Sequence, residues 1–582
     1  MYLDVFASLN VYARWKNHAA TLDPQQWRQN PPKMFVLLRT RNLLHSPAFP
    51  MTPPAAALRH HLYADPEGKF VHNVVLDSCR KHGDKTAIVD ASCTPPRRVS
   101  FAEYGDLVER TAHGLFAAGI HPGDMVGIYL PNCWEFGIAF HAATMAGAIP
   151  TTLNPTYRER EVHHQMDVSE AVALISDGPL LEGIDLSGLP ALRKVYTVRT
   201  PGRGGTEPLS NLFSPSTSAG FPEPQHDSRL TMATLPFSSG TTGLPKGVML
   251  SHHNIVANVY QTLTSGETGC IGENDVVLCF LPMYHIYGLT VGLNLALIRG
   301  CTVVFMPRFD CDASLRTIVD EGVTVTLCVP PALLAYCHAF EQGKFPGEHQ
   351  MRWVKSGAAS LAPELARRFT ESTGIPIRQG YGMTEASPVT HMGYLDPELY
   401  RADSIGGPVA QTDCRVLDEN NNEVPQGELG ELVMRGPQFM LGYWMAPDAT
   451  AAVMHDGWYW SGDIVRVDEL GRYFVVDRRK EMMKYKGFSI APAEVEGVLL
   501  EHPSVCDCGV VSRVDEAGEE IPCAFVVLRE GHLETEQTSA SLREFVAERL
   551  THYKMPRELH FVQSIPRTAS GKILRRDLRK LF

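Results

Sequence analysis

Leu235-Pro-Phe-Ser-Ser-Gly-Thr-Thr-Gly-Leu-Pro-Lys-Gly-Val-Met-Leu-Ser-His-His253 is the stretch from which the rest of the chain is best read. Ser238, Ser239, Thr241 and Thr242 surround Gly240, and Gly243, Lys246 and Gly247 follow, so hydroxyls, bare backbone amides and one cation share a short loop. Such a loop suits an anion. Glycine lets the main chain approach closely, successive N–H groups converge on oxygen, and a lysine neutralises part of the charge. Composition alone leaves an ordinary Ser/Thr/Gly surface turn equally open. The apolar entry Leu235-Pro-Phe237 and the apolar exit Val248-Met-Leu250 favour a loop held between two buried strands, and hence a phosphate cradle. It is not a Walker A loop, because the G-x-x-x-x-G-K-[ST] spacing cannot be laid on it.

A chain of 582 residues exceeds what one core supports, so two or more domains are expected. Hydrophobic residues at 44% and charged residues at 20% fit a soluble globular protein. The net charge of −12 argues against a nucleic-acid partner but leaves room for a local basic pocket that binds phosphate. Thirteen scattered cysteines give neither a disulfide framework nor zinc spacing, which points to a reducing compartment, the cytoplasm. The adjacent His252 and His253 read as a loop or helix-start pair rather than metal ligands, since neighbours point in different directions. The longest apolar run, Leu289 to Ile298, is too short to span a membrane and carries Asn294.

Residues 1–50 are basic and acid-poor, with Arg14, Lys16, Arg28, Lys33, Arg39 and Arg41 against Asp4 and Asp23. We expect an extension upstream of a natural start at Met51, with a transit peptide as the alternative. Further on, helical spacing over Phe101 to Gly119 and Trp134 to Gly147 alternates with strand runs at Met125 to Leu130, Ala171 to Ile175, Lys194 to Val198, Thr302 to Met306 and Val323 to Val329. That alternation predicts an α/β layer structure with parallel sheets. The Gly/Pro/Ser-rich segment from Thr200 to Ser228 reads as a surface connection, and Thr412 to Gly436 as an antiparallel hairpin turning at Asn420-Asn-Asn-Glu423.

Several later clusters carry chemistry. In Gln379-Gly-Tyr-Gly-Met-Thr-Glu385, glycines flank an aromatic so that a flat base can slide against backbone and ring, Thr384 offers a hydroxyl, and Glu385 offers a hard carboxylate oxygen suited to Mg²⁺. Read alone, the same residues make a strand-to-helix turn whose acid favours a helix N-terminus. Asp463 in Gly457-Trp-Tyr-Trp-Ser-Gly-Asp463 follows a tight turn and suits a pair of ribose hydroxyls. Phe280-Leu-Pro-Met-Tyr-His-Ile-Tyr287 places His285 between aromatics, where a packed histidine is the plainer reading. The run Asp477-Arg-Arg-Lys-Glu-Met-Met-Lys-Tyr-Lys-Gly487 could be a solvated face, and Lys572 in Thr568-Ala-Ser-Gly-Lys572 an exposed turn lysine.

Together, and in this order, these motifs resemble the adenylate-forming superfamily of acyl-CoA synthetases, luciferases and peptide-synthetase adenylation domains. The resemblance runs from about residue 70 to the end and is closest to 4-coumarate–CoA ligases and other aryl or fatty acyl-CoA synthetases over Leu235 to Ser251, Gln379 to Val389 and Lys484 to Gly487. It implies an α/β fold with a large N-terminal domain (residues 51–478) of layered α/β subdomains plus a small barrel-like β subdomain. A small mobile α+β C-terminal domain (479–582) follows, hinged over Asp477 to Lys480. The implied activity is ATP-dependent formation of an acyl-adenylate and then an acyl-CoA thioester, with Mg²⁺ as cofactor. The substrate is a small carboxylic acid, hydroxycinnamate-like or otherwise aryl. Open alternatives are a fatty acid, a carrier-protein thiol, or a non-thiol acceptor as in ATP-dependent diazotases.

By the same resemblance Ser238 to Gly243, Lys246, Ala358, Gln379 to Tyr381, Thr384, Asp463, Arg478, Lys480, Lys484 and Lys572 contact the nucleotide. Lys572, Thr384, Glu385 and His285 take catalytic roles, with Glu385 on the metal. Arg308, Lys486 and Gly487 face CoA. Ile286, Tyr287, Thr290, Leu327, Lys355, Gly357, Gly382, Pro388, Val389 and Met392 enclose the acyl group, glycines there leaving width for a flat ring. The chain departs from the coumarate ligases and luciferases at Ser489, where they usually carry glutamine.

Overall fold

The computed structural model describes residues 66, 68–202, 204–213, 227–238, 245–264, 271–345, 348–485, 488–515, 520–568 and 571–582, with backbone only at 484, 488 and 489. The chain divides into compact units Met1–Met51 and Thr52–Phe582, and the described residues belong to the second. The expected extension over 1–50 therefore lies outside them.

Two sheets organise the first part of this unit. In one, the parallel strands Ile149–Thr152, Met125–Tyr129, Ala173–Ser176 and Lys194–Thr197 lie in that order, with Glu207–Pro208 on the edge. The other has nine strands. Six of them (Ile377–Gly382, Trp353–Ser356, Val325–Cys328, Val276–Cys279, Thr302–Phe305, Thr86–Asp90) pair in parallel, and antiparallel strands close both ends. The parallel runs are apolar almost throughout, as strands covered on both faces must be, and Val277, Leu278, Val303, Val304, Val325 and Leu327 are wholly buried. Helices Phe101–Ala117 and Trp134–Met145 fall where helical spacing predicts them. The first starts at Ser100, whose hydroxyl accepts from Glu103 N at 3.1 Å.

The apolar run after Tyr287 becomes a π-helix, Gly288–Asn294, followed by the α-helix Leu295–Arg299. Asn294 is buried but satisfied, donating to Leu289 O at 2.9 Å and meeting His141 Nε2 at 2.8 Å. Among the described residues no helix is long and apolar enough to cross a membrane. His252 and His253 open the helix His252–Thr264 and are buried in the packing, His252 against Phe70 and His72.

A small sheet joins Lys246–Ser251 to Phe237–Ser238, Met232–Thr234 and Gly442–Tyr443. The next, antiparallel, holds Asp413–Leu417 and Gly430–Arg435, the expected hairpin, with Met454–His455, Trp458–Val467 and Tyr473–Arg478. Beyond it lies a small α+β domain. Strands Val505–Val514, Glu520–Leu528 and Glu558–Phe561 pack with helices Pro492–Glu501 and Glu536–Ala547 around a core of their own that includes Val495, Leu499, Val510, Val526 and Leu542.

Candidate active site

The site is a cleft of about 1020 Å³ whose walls come from several of these elements. Its first wall is the pair of strands that carries Ser238 and Lys246. Phe237–Ser238 and Lys246–Ser251 pair antiparallel with Ser238 opposite Lys246, which fixes hydroxyl and ammonium at the loop's mouth. Leu235, Val248 and Leu250 anchor the two flanks in the core. Lys246 Nζ stands 5.2 Å above the ring of Tyr443.

The second wall is the strand Ile377–Gly382 with the 3₁₀ turn Thr384–Ala386. The turn folds back as Met383 N donates to Pro388 O at 2.9 Å, bringing Thr384 and Glu385 to the cleft. Glu385 is buried and accepts a hydrogen bond from the Tyr443 hydroxyl at 2.8 Å. Tyr381 donates its hydroxyl to the Asp463 carboxylate, whose other oxygen lies 3.0 Å from Arg478 Nε. Burial, then Asp463, pushes the Tyr381 hydroxyl well above its ordinary range, so it stays a donor. The Asp463 charge is the main influence raising Arg478.

The third wall carries His285 and Tyr287. Tyr287 N donates to His285 Nδ1 at 3.2 Å, which leaves the proton of a neutral imidazole on Nε2. Burial first, and then the Lys572 charge, lowers His285 to about 4, so it is neutral at pH 7. Behind it Lys355, nearly inaccessible, lies 5.8 Å from the Tyr287 ring centroid and 4.0 Å from Met392 Sδ.

The small domain closes the cleft with a tight turn. Lys572 N donates to Thr568 Oγ1 at 3.1 Å, Thr568 N donates to Lys572 O at 2.8 Å, and Gly571 takes φ +84°, where a side chain would be strained. Arg567 braces the turn, donating to Gly571 O at 2.8 Å and to Asp507 Oδ1 at 2.7 Å. The Lys572 ammonium borders the cleft. Desolvation beside the cleft, and next the Arg478 charge, lowers its pKa, while Asp463 and Glu385 act in the opposite sense.

The model described as AMP-binding enzyme matches residues 75–444, and that described as AMP-binding enzyme C-terminal domain matches 494–572. The chain belongs to this family of adenylate-forming acid–CoA ligases. It is 36% identical over 528 residues to 4-coumarate–CoA ligase 5 of Oryza sativa subsp. japonica, covering 89% of this chain and 95% of that protein. A benzoate CoA ligase from Burkholderia xenovorans LB400 superposes with a TM-score of 0.79 at 26% identity, covering 88% of this chain and 100% of the other. For o-succinylbenzoate coenzyme A synthetase from Bacillus subtilis, in complex with ATP and magnesium ion, the values are 0.74, 27%, 87% and 99%.

Of the residues singled out from the ligase sequence, the cleft gathers Ser238, Lys246, His285, Tyr287, Lys355, Gly357, Ala358, Gly380, Tyr381, Gly382, Thr384, Glu385, Pro388, Val389, Arg478, Lys480 and Lys572. Ala358 borders it with φ +68°, uncommon for a residue with a side chain. Asp463 lies just beneath, 3% exposed. Ile286, Thr290, Leu327 and Met392 are buried but do not border the cleft. Gln379 also stays out of it, its amide donating to Ala402 O, and Arg308 is exposed at a bend and does not border it. Ser239 to Gly243, Lys486, Gly487 and the Lys484 side chain lie outside the described residues.

Two of the glycines behave differently from the expectation that they provide width. A Cβ on Gly380 would come within 2.9 Å of Lys355 Cε, and one on Gly382 would strike the Pro388 carbonyl. They let wall segments close on one another, so the width comes from elsewhere. Tyr443, Tyr459 and Glu431 also line the cleft and escape sequence reading. Only the short Gly442-Tyr443 strand, paired to the Lys246 strand, could have hinted at the first. Among the described residues no group of three or more His, Cys, Asp or Glu could cage a metal. The buried carboxylate of Glu385, beside Thr384 in the cleft, fits magnesium, which at nucleotide sites is held by one or two carboxylates together with phosphate oxygens.

Proposed function

We propose that this ligase activates an aryl acid of hydroxycinnamate type and passes it to CoA. The acid's carboxylate attacks the α-phosphorus of ATP, forming the mixed anhydride as the bond to the bridging oxygen breaks and pyrophosphate leaves. A carboxylate needs no general base at neutral pH, so the demand falls on alignment and charge. Neutral His285 offers Nε2–H to the carboxylate, Thr384 and Lys572 face the α-phosphate, and Ser238 with Lys246 receives the departing pyrophosphate. Asp463 and Arg478 hold the ribose and Tyr381 the base. Magnesium held on Glu385 would neutralise charge on the phosphate oxygens. The CoA sulfur then attacks the acyl carbon and AMP leaves, after a turn about Asp477 to Lys480, the proposed boundary between residues 51–478 and 479–582.

The observation that carries this reading is the convergence of Lys572, from the small domain, with Thr384, Glu385 and Arg478 of the large one on a single cleft. The aryl preference is supported by the Tyr287 ring and by the buried Lys355 ammonium at the acyl end. A charge there is costly beside a plain alkyl chain and well used beside a ring bearing a hydroxyl. The 4-coumarate–CoA ligase relative points the same way.

Pyrophosphate release measured across cinnamic, benzoic and fatty acids, each with and without CoA, tests the proposal. We expect hydroxylated cinnamic acids to lead and CoA to speed turnover to a thioester. Release driven only by fatty acids would overturn the substrate class, and indifference to CoA would overturn the acceptor.

A further inference from the structure

Glu385 and Lys246 present opposite charges to one end of the cleft, and two such groups left to themselves collapse into an ion pair. Among the described residues no ion pair joins them. Tyr443 stands between: its hydroxyl donates to Glu385 Oε1 at 2.8 Å, and its ring face carries Lys246 Nζ at 5.2 Å. The residue is rigidly seated. It is 8% exposed, lies on a strand in register with the Lys246 strand (Val248 opposite Tyr443), and its N–H donates to Thr450 Oγ1 at 2.8 Å. Trp444 N donates to Gly247 O at 2.8 Å, tying the same short strand to the residue after Lys246.

From this we infer that Tyr443 is a positioning residue that holds Glu385 and Lys246 apart and aimed, the carboxylate at the metal and the ammonium at the leaving pyrophosphate. The inference rests on the proposed role of Glu385. A neutral donor is what the task requires. It satisfies a buried carboxylate oxygen without cancelling its charge, whereas an arginine or lysine there would remove the negative charge that a divalent cation needs. The aromatic face likewise steadies an ammonium without neutralising it. A phenylalanine would pack in the same place and carry Lys246, but it would release Glu385.

The test separates these two halves by ATP affinity, measured by calorimetry with EDTA and with MgCl₂ on the full-length enzyme. Tyr443→Phe should bind ATP normally in EDTA yet lose about 10- to 100-fold of the affinity gained on adding magnesium, the usual effect of removing a partner of a metal ligand. Pyrophosphate release should then need correspondingly more magnesium, with KM for the acid unchanged. Tyr443→Leu, which also removes the ring, should weaken ATP binding in EDTA as well. Glu385→Gln is the reference. If it loses the magnesium gain and Tyr443→Phe does not, the positioning role is overturned while the Glu385 reading stands. If Glu385→Gln keeps the gain, the Glu385 reading falls and this inference falls with it. Equal ATP affinity of the Phe and Leu variants in EDTA would overturn the Lys246 half.

Discussion

The nucleotide wall of the large domain and the Lys572 turn of the small domain hold their charges in opposite ways. On the wall the carboxylates are tied to side chains from other segments, Asp463 to Tyr381 and Arg478, and Glu385 to Tyr443. On the turn the backbone is fixed by Thr568 and by the Arg567 brace, while among the described residues the Lys572 ammonium makes no ion pair. A wall that must bind one nucleotide repeatedly gains from a satisfied network, which holds its geometry without substrate. In the proposed mechanism a cation that meets charge appearing during reaction, and is then withdrawn, is better left uncommitted. Its order is carried by the main chain of the turn.

If this contrast is right, the two regions break differently. Lys572→Ala should lower pyrophosphate release about 10²- to 10³-fold, the cost of one transition-state contact, with ATP affinity by calorimetry nearly unchanged. Asp463→Asn should act on binding instead. A charge-assisted hydrogen bond is worth about 1.5–3 kcal/mol, so ATP affinity should fall roughly 10- to 100-fold, and Arg478, left facing an amide, should lower the thermal midpoint as well. Should both variants lose affinity and rate in the same proportion, the distinction between wall and turn would be gone. A smaller effect is expected of Arg567→Ala, which leaves Lys572 in place but removes the brace on Gly571 and Asp507. Loss of about 1.5 kcal/mol of charge-assisted hydrogen bonding corresponds to about tenfold slower adenylation, with thioester formation from preformed acyl-adenylate unaffected. Equal slowing of both halves would mean that Arg567 supports the domain rather than the turn.

What could be read in the sequence follows the same divide between local and distant causes. The two strand flanks that bring Ser238 opposite Lys246, the Thr384-Glu385 turn, and the alternating strands and helices are each written within a few consecutive residues, where apolar flanks and turn chemistry decide the outcome. Tyr443 could not be found that way. Its partner Glu385 is 58 residues away, and the two meet only because the Gly442–Tyr443 strand adds to the edge of the Lys246 strand. Gln379 shows the same limit: it sits in the motif, but its amide donates to Ala402 O, a partner 23 residues on that the local sequence does not show. Gly380 and Gly382 mark a place where backbone must come close, and which surface comes close is a tertiary fact.

His285 gives the finest test of where the turn rests in solution, because its ionisation records the nearness of Lys572. Burial is the larger cause of its fall from 6.5 to about 4, and the Lys572 charge is the second. Both disfavour the imidazolium, so removing the lysine must raise the pKa, yet with burial intact the rise must stop short of 6.5. In ¹³C-histidine NMR titrations, with the resonance assigned through His285→Gln, Lys572→Ala should therefore shift the His285 midpoint upward by less than the whole depression. A return to the ordinary value would show that the lysine, and not the packing of the third wall, keeps this imidazole neutral. An unmoved midpoint would place the ammonium away from His285 in the ligand-free enzyme, and the uncommitted cation would then reach the cleft only when nucleotide draws it there.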